Sequence, residues 1–144
     1  VLNQYSSIDI LNFREIVEPE CVKLFINNYD DEKIKDLEKC YNIMEKYDAS
    51  RESTEYAIAD LQFHMIIARG SKNPIVAKVM EILTDVLASY QLQANRQIGP
   101  RTGTFEHFKI LEAIKLRDSE LAAIFMKRHI QRSKKDILDG IAKQ

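Results

Sequence analysis

The sequence predicts an all-α fold, an antiparallel bundle of about six helices, and three observations carry that reading. Its 144 residues contain only 4 Gly and 3 Pro, against many Lys, Glu, Leu, Ile and Ala, a composition that favours helices over turn-dense β architecture. Apolar residues recur at three- and four-residue steps along most of the chain, the period of a helix with one buried face. Cap residues punctuate those stripes at short intervals, so successive helices must double back on one another.

A first helix is predicted from Ser7 to about Asn28, burying Ile10, Phe13, Val17, Cys21 and Leu24. Pro19 lies inside it, and a proline there removes one backbone donor, so a kink near Ile16 is expected. Asp30 or Asp31 caps a second helix with the stripe Ile34, Leu37, Tyr41 and Met44, ending near Tyr47. A third runs from about Ser53 to Arg69, with Gly70 suited to the left-handed position beyond its last turn. Asn73-Pro74 opens a fourth, Asn as cap and Pro at the first helical position; it carries Val76, Met80, Leu83, Leu87 and Tyr90 and ends before Gly99-Pro100. Thr102 or Thr104 opens a fifth, bearing Phe108, Leu111 and Ile114, and Asp118 or Ser119 a sixth, bearing Leu121, Phe125 and Ile137. No repeat or low-complexity linker divides these segments, so residues 1–144 read as one domain.

The 21 basic and 22 acidic residues nearly cancel, so no overall field draws the chain to nucleic acid or to an anionic membrane. No apolar run approaches the roughly 20 residues needed to cross a bilayer. Cys21 and Cys40, with no signal peptide before them, read as reduced thiols, which points to the cytoplasm. The start, Val1-Leu2-Asn3-Gln4, reads as a cut end.

The chain has three histidines, His64, His107 and His129, and each falls on the apolar face of its helix. His64 follows Asp60 by four residues, which sets a carboxylate and an imidazole on one face, about 6 Å apart along the axis. No Lys or Arg within a turn of Asp60 shares that face, so a buried Asp60 needs a partner from elsewhere in the fold. Two readings of these four residues stand side by side. They can form an Asp-His-His-His set of N and O donors suited to zinc, nickel, manganese or iron. Alternatively, each histidine is a core side chain bonded to a backbone carbonyl, with Asp60 solvated.

The order of short motifs adds to this. Phe13-Arg14-Glu15-Ile16-Val17-Glu18-Pro19-Glu20, then Asp60-Leu61-Gln62-Phe63-His64, then Ser71-Lys72-Asn73-Pro74, then Glu106-His107-Phe108-Lys109-Ile110-Leu111, then Met126-Lys127-Arg128-His129 resembles the FCD domain. That domain is the C-terminal, effector-binding half of FadR-type regulators of the GntR superfamily. The resemblance spans essentially the whole chain. It implies a helical bundle enclosing a pocket, with one divalent transition metal, zinc before nickel, manganese or iron, held by Asp60, His64, His107 and His129. It further implies a small carboxylate metabolite as effector, bound at the metal's open positions. Arg14 matches the family's first-helix arginine and Arg96 is a second candidate for the effector's carboxylate; the competing roles are a salt bridge to Glu18 for Arg14 and a solvated helix end for Arg96. The family's winged helix-turn-helix has no counterpart in these residues, so the resemblance assigns operator binding, by a homodimer, to a part of the protein outside this chain.

Two other functions compete with a sensor. A metal with open positions could activate water in an enzyme, but the Glu-x-x-His pairs of di-iron bundles are missing and Glu106, adjoining His107, must point to another face. A purely structural dimerisation bundle would use the histidines as core hydrogen-bonding groups. The reading adopted is a non-enzymatic, metal-dependent sensor domain.

Overall fold

The computed structural model describes residues 4–48, 54–95 and 103–142. Among these, six helices and no strand are found: α1 (Gln4–Asn27), α2 (Asp31–Lys46), α3 (Thr54–Gly70), α4 (Pro74–Asn95), α5 (Gly103–Lys115) and α6 (Ser119–Ala142). The all-α prediction therefore holds. Of the expected caps, Asp30 accepts from the Glu32 amide, Asn73 from those of Ile75 and Val76, and Asp118 from that of Leu121. Each side chain satisfies amides that the first helical turn leaves without intrahelical partners. Ser53, Arg96, Gly99-Pro100 and Thr102 lie outside the described residues.

The α3–α4 and α5–α6 pairs are each joined by a short turn and pack together, so they run antiparallel. α1 departs from simple up-and-down order. It lies chiefly along α6, the last helix, and also packs on α3 and α4, while α2 packs on α3 and α5. α1, α3, α5 and α6 thus enclose the centre of the molecule, and the main core cluster, with Phe25, Leu37, Met44, Phe63, Ile110 and Met126 fully buried, surrounds it.

Three local expectations need correction. First, the inward face of α1 is rotated from the expected stripe: Cys21 is buried and Val17 packs on the core as expected, but Phe13 and Leu24 are exposed, at 40% and 37%, while Leu11, Arg14, Glu18, Val22 and Phe25 are buried. The apolar stripe misleads because the inward face carries an ion pair. The same kind of phase error puts Phe108 at the surface of α5, where its ring meets Tyr41 at a centroid distance of 5.7 Å. Second, α1 continues as one helix through Pro19.

Third, Gly70 is not the left-handed residue. It belongs to the last turn of α3, and the positive φ falls on Lys72, at 61°. Gly70 answers a different need: a Cβ there would lie 2.3 Å from Cδ2 of Phe25, whose ring is buried. The missing side chain is what lets α1 and α3 approach. The other left-handed residue, Arg117 at 56°, closes α5: its amide donates to Ile114 O and that of Asp118 to Ala113 O, the two bonds of a Schellman motif.

Gly70→Ala is accordingly expected to cost roughly 1–3 kcal/mol, the range for overpacking a close-packed interior. Chemical denaturation should register that loss, and Phe25→Leu added to it should recover part of it, making the two changes non-additive. Full additivity would mean that the α1–α3 approach does not depend on this contact.

Candidate metal centre

Four side chains from three helices converge at the middle of the bundle. Asp60 and His64 project from α3, one turn apart as their spacing dictates; His107 comes from α5 and His129 from α6. One donor atom from each lies within 4.8 Å of the donor atoms of the other three. The Asp60 Oδ1 is 2.8 Å from Nε2 of His107 and 3.4 Å from Nε2 of His64, and the two Nε2 atoms are 3.3 Å apart. The histidines are buried, at 2%, 1% and 6% exposure in chain order, whereas the Asp60 side chain keeps 13%.

The back of each imidazole is tied. His64 Nδ1 lies 2.5 Å from Glu18 Oε1, His107 Nδ1 2.5 Å from the carbonyl oxygen of Gly103, and His129 Nδ1 2.8 Å from Glu106 Oε1. Ionised carboxylates and carbonyls only accept, so each Nδ1 carries the proton and donates it. A neutral imidazole with its proton on Nδ1 presents a lone pair at Nε2. Three such lone pairs and a carboxylate therefore face one small volume. With nothing positive among them, electron pairs 2.8–3.4 Å apart would repel. The arrangement calls for a cation, whether protons on the rings or a metal ion, and the donor set of three imidazoles and one carboxylate fits a borderline transition metal.

The two carboxylate tethers are themselves paired. Glu18 is gripped by Arg14 through Nε at 2.5 Å, an i,i+4 pair buried on both sides. Glu106 receives Arg132: Nη2 at 2.7 Å and Nε at 3.0 Å from Oε1, with Nε also 3.2 Å from Oε2; Arg132 Nη1 then reaches Asp136 at 2.6 Å. The third tether depends on the start of α5. Thr104 Oγ1 donates to Asp48, and Tyr56 donates in turn to Thr104 at 3.1 Å, fixing the turn whose Gly103 carbonyl receives His107.

These contacts set the protonation of the groups. Burial opposes the charge on Glu18, but Arg14 and His64 outweigh it and hold the carboxyl at about 2. Glu106 is likewise held at about 2, against burial, by the hydrogen bonds of His129 and Arg132. Asp60 is held well below the usual carboxylate range, again against burial, chiefly by His107 and His64. Burial would depress His64, but Glu18 lifts it to about 8. Burial, reinforced by His107, pushes His129 down to about 3.

All four residues expected to form one site do come together. Arg14 lies one side chain behind His64, engaged by Glu18, and Arg96 lies outside the described residues. Spacing alone missed Glu18, Gly103, Glu106 and Arg132. Glu106 was set aside because it adjoins His107, yet it leans towards α6 and meets His129 there. A cleft of about 310 Å³ between α3 and α4, lined by Leu61, Met65, Arg69 and Glu81 among others, and a larger one of about 540 Å³ between α1 and α6 do not include any of the four central residues.

Comparisons with known proteins agree with this architecture. A family model described as the FCD domain matches residues 9–132. An uncharacterised HTH-type transcriptional regulator, YcbG of Bacillus subtilis (strain 168), is 26% identical over 133 residues, 92% of this chain and 54% of the relative. The chain thus spans about half the length of that relative. Among solved structures, E. coli McbR/YncC superposes with a TM-score of 0.84 at 16% identity, over 96% of this chain and 67% of the other. Streptococcus agalactiae GntR gives 0.74 at 19%, over 89% and 57%.

The protonation pattern predicts how the metal-free chain responds to pH. His64, raised from 6.5 to about 8, contributes stability that is complete below 6.5 and lost as pH rises through 8. His129, lowered from 6.5 to about 3, contributes stability present above 6.5 and lost as pH falls towards 3, where Glu18 and Glu106 add their losses between 4.5 and about 2. Denaturation midpoints in chelator should therefore peak near pH 6.5, the ordinary value from which both imidazoles depart. A midpoint still climbing between pH 7 and 8 would contradict the charged His64–Glu18 pair.

Proposed function

This chain belongs to the FCD domain family, and from that premise we propose that it is the effector-sensing domain of a FadR-type GntR transcription regulator, with Asp60, His64, His107 and His129 holding one divalent transition metal. The observation that carries the reading is the triple tether: every Nδ1 proton is spent on an acceptor, so every imidazole offers its other nitrogen to the same point. Zinc suits the set best, with nickel, manganese or iron as alternatives. When bound, the ion supplies a Lewis-acidic anchor for the carboxylate of a small organic acid.

The charge balance around the site supports an anionic effector. Glu18 is offset by Arg14 and Glu106 by Arg132, so neither tether adds net charge to the centre. Asp60 then cancels one of two positive charges, leaving about one unit for a carboxylate to neutralise. Asp60 is the most exposed of the four side chains, at 13%, and its side is the one on which the effector would arrive. Arg96 remains the arginine proposed to meet the effector, whereas Arg14 takes the competing role, an ion pair with Glu18 behind His64.

In the full-length regulator, a winged helix-turn-helix domain outside this chain would bind operator DNA as part of a homodimer in the cytoplasm, and the effector would favour one arrangement of the two DNA-reading domains. The relative's name, an HTH-type regulator, and its greater length support this division of labour. No described helix is long and apolar enough to cross a membrane. A non-catalytic role follows from the same family membership.

The test is metal content after purification without added metal or chelator. About one equivalent per chain is expected, with loss in His64→Ala and in His129→Ala, and a fall in melting temperature on chelation. Calorimetric titration with small carboxylic acids should then give saturable binding only to the metal-loaded chain. Metal-free protein whose melting temperature ignores added zinc and nickel would overturn the reading.

A further inference from the structure

The two carboxylate tethers are not equivalent. Glu18 holds His64 from a different helix, α1 against α3, but its own brace, Arg14, lies on α1 beside it. Glu106 on α5 is gripped by α6 alone and twice: by His129, and three residues on by Arg132, whose guanidinium takes both carboxylate oxygens. Residues three apart on a helix share a face, so one glutamate fixes both the tilt of the His129 ring and the register of α6 against α5. Asp136, a further turn along, holds the far side of the guanidinium and stops it from swinging away. His129 needs this more than its neighbours, because α6 contributes no other donor to the centre, whereas α3 contributes two adjacent ones.

Resting on the proposed metal site, we infer that Glu106, braced by Arg132, is the positioning residue for His129: it aims that imidazole at the centre and so makes metal binding report the α5–α6 register. The chemistry is that of an outer carboxylate on a ligating imidazole, which fixes the tautomer and the ring plane and strengthens the donor atom. Arg132 offsets the carboxylate's charge, so the brace orients His129 without drawing a second cation into the site. Glu106 is not among the four converging donors, and its contact with them is the His129 ring, through which it acts.

The experiment is a zinc titration of the 144-residue chain against a competing chromophoric chelator, with the ligand-field spectrum of the cobalt-loaded chain and the melting temperature in chelator as companion readouts. Glu106→Ala should weaken zinc binding about 10–100-fold, the usual consequence of removing an outer partner of a ligating histidine. It should also alter the cobalt spectrum. Where the alanine variant fails to fold, Glu106→Met, which keeps the volume but accepts no hydrogen bond, takes its place. A folded variant that matches the parent in zinc affinity and cobalt spectrum overturns the inference while leaving the site intact. A parent that takes up no metal overturns the site and the inference together.

Discussion

Burying imidazoles and a carboxylate in the middle of a helical bundle is permissible only if every nitrogen and oxygen finds a partner, and most of this structure's departures from a simple amphipathic pattern follow from that requirement. The uncompensated cost would be several kcal/mol per group. α1 meets it by turning Arg14 and Glu18 inward, α5 by offering Glu106 and the Gly103 carbonyl, and α6 by placing Arg132 one turn after His129. The surrounding apolar core, including Phe63 edge-on to the His107 ring at 4.8 Å, then encloses a polar centre whose outward-facing atoms are all engaged. The inward-facing atoms meet one another: Asp60 Oδ1 lies 2.8 Å from Nε2 of His107 and 3.4 Å from that of His64.

This explains how far the sequence could be read. Helix number and the caps at Asp30, Asn73 and Asp118 follow from local spacing, because period and capping chemistry are properties of a few consecutive residues, whereas the joining of Asp60 with histidines on three helices is implied by the family resemblance and left open by spacing alone. The groups behind the imidazoles do not follow from spacing. Two of them, Glu18 behind His64 and Glu106 behind His129, come from other helices, 46 and 23 residues away, and the third is the Gly103 carbonyl, one turn before His107 on α5 itself and a group that any residue possesses. α1 was read in the wrong phase for the same reason. A rule that seeks apolar residues inside cannot select the face that holds a buried ion pair, and Phe13 drew the stripe to the wrong side. The position of Gly70 shows a further limit, since its role is a contact with Phe25 across the interface and not a local turn.

The packing of α1 on α6 gives the bundle its unusual order. Lys134 of α6 bonds Asn12 at 3.0 Å and Glu15 at 2.9 Å, tying the last helix to the first. The hydrogen bonds of Glu15 to Lys134 and Gln131 hold its carboxyl below the ordinary value, although exposure to solvent limits what the contact adds to stability. Its main effect is alignment: the helix carrying Glu18 and the helix carrying His129 are set against one another along much of their length. Two of the three tethered imidazoles therefore depend on one helix pair.

The uneven exposure of the four central side chains bears on the order in which partners arrive. The three histidines are buried and the Asp60 side chain keeps the largest exposure of the four, so an ion diffusing inward by its side first meets a negative charge. Cations are drawn to that entrance and anions repelled from it. A divalent ion held among the donors, as proposed above, would reverse the sign at that entrance and make the same edge attractive to a carboxylate. Electrostatics would then order occupancy of the proposed site: cation before anion on the way in, and anion before cation on the way out.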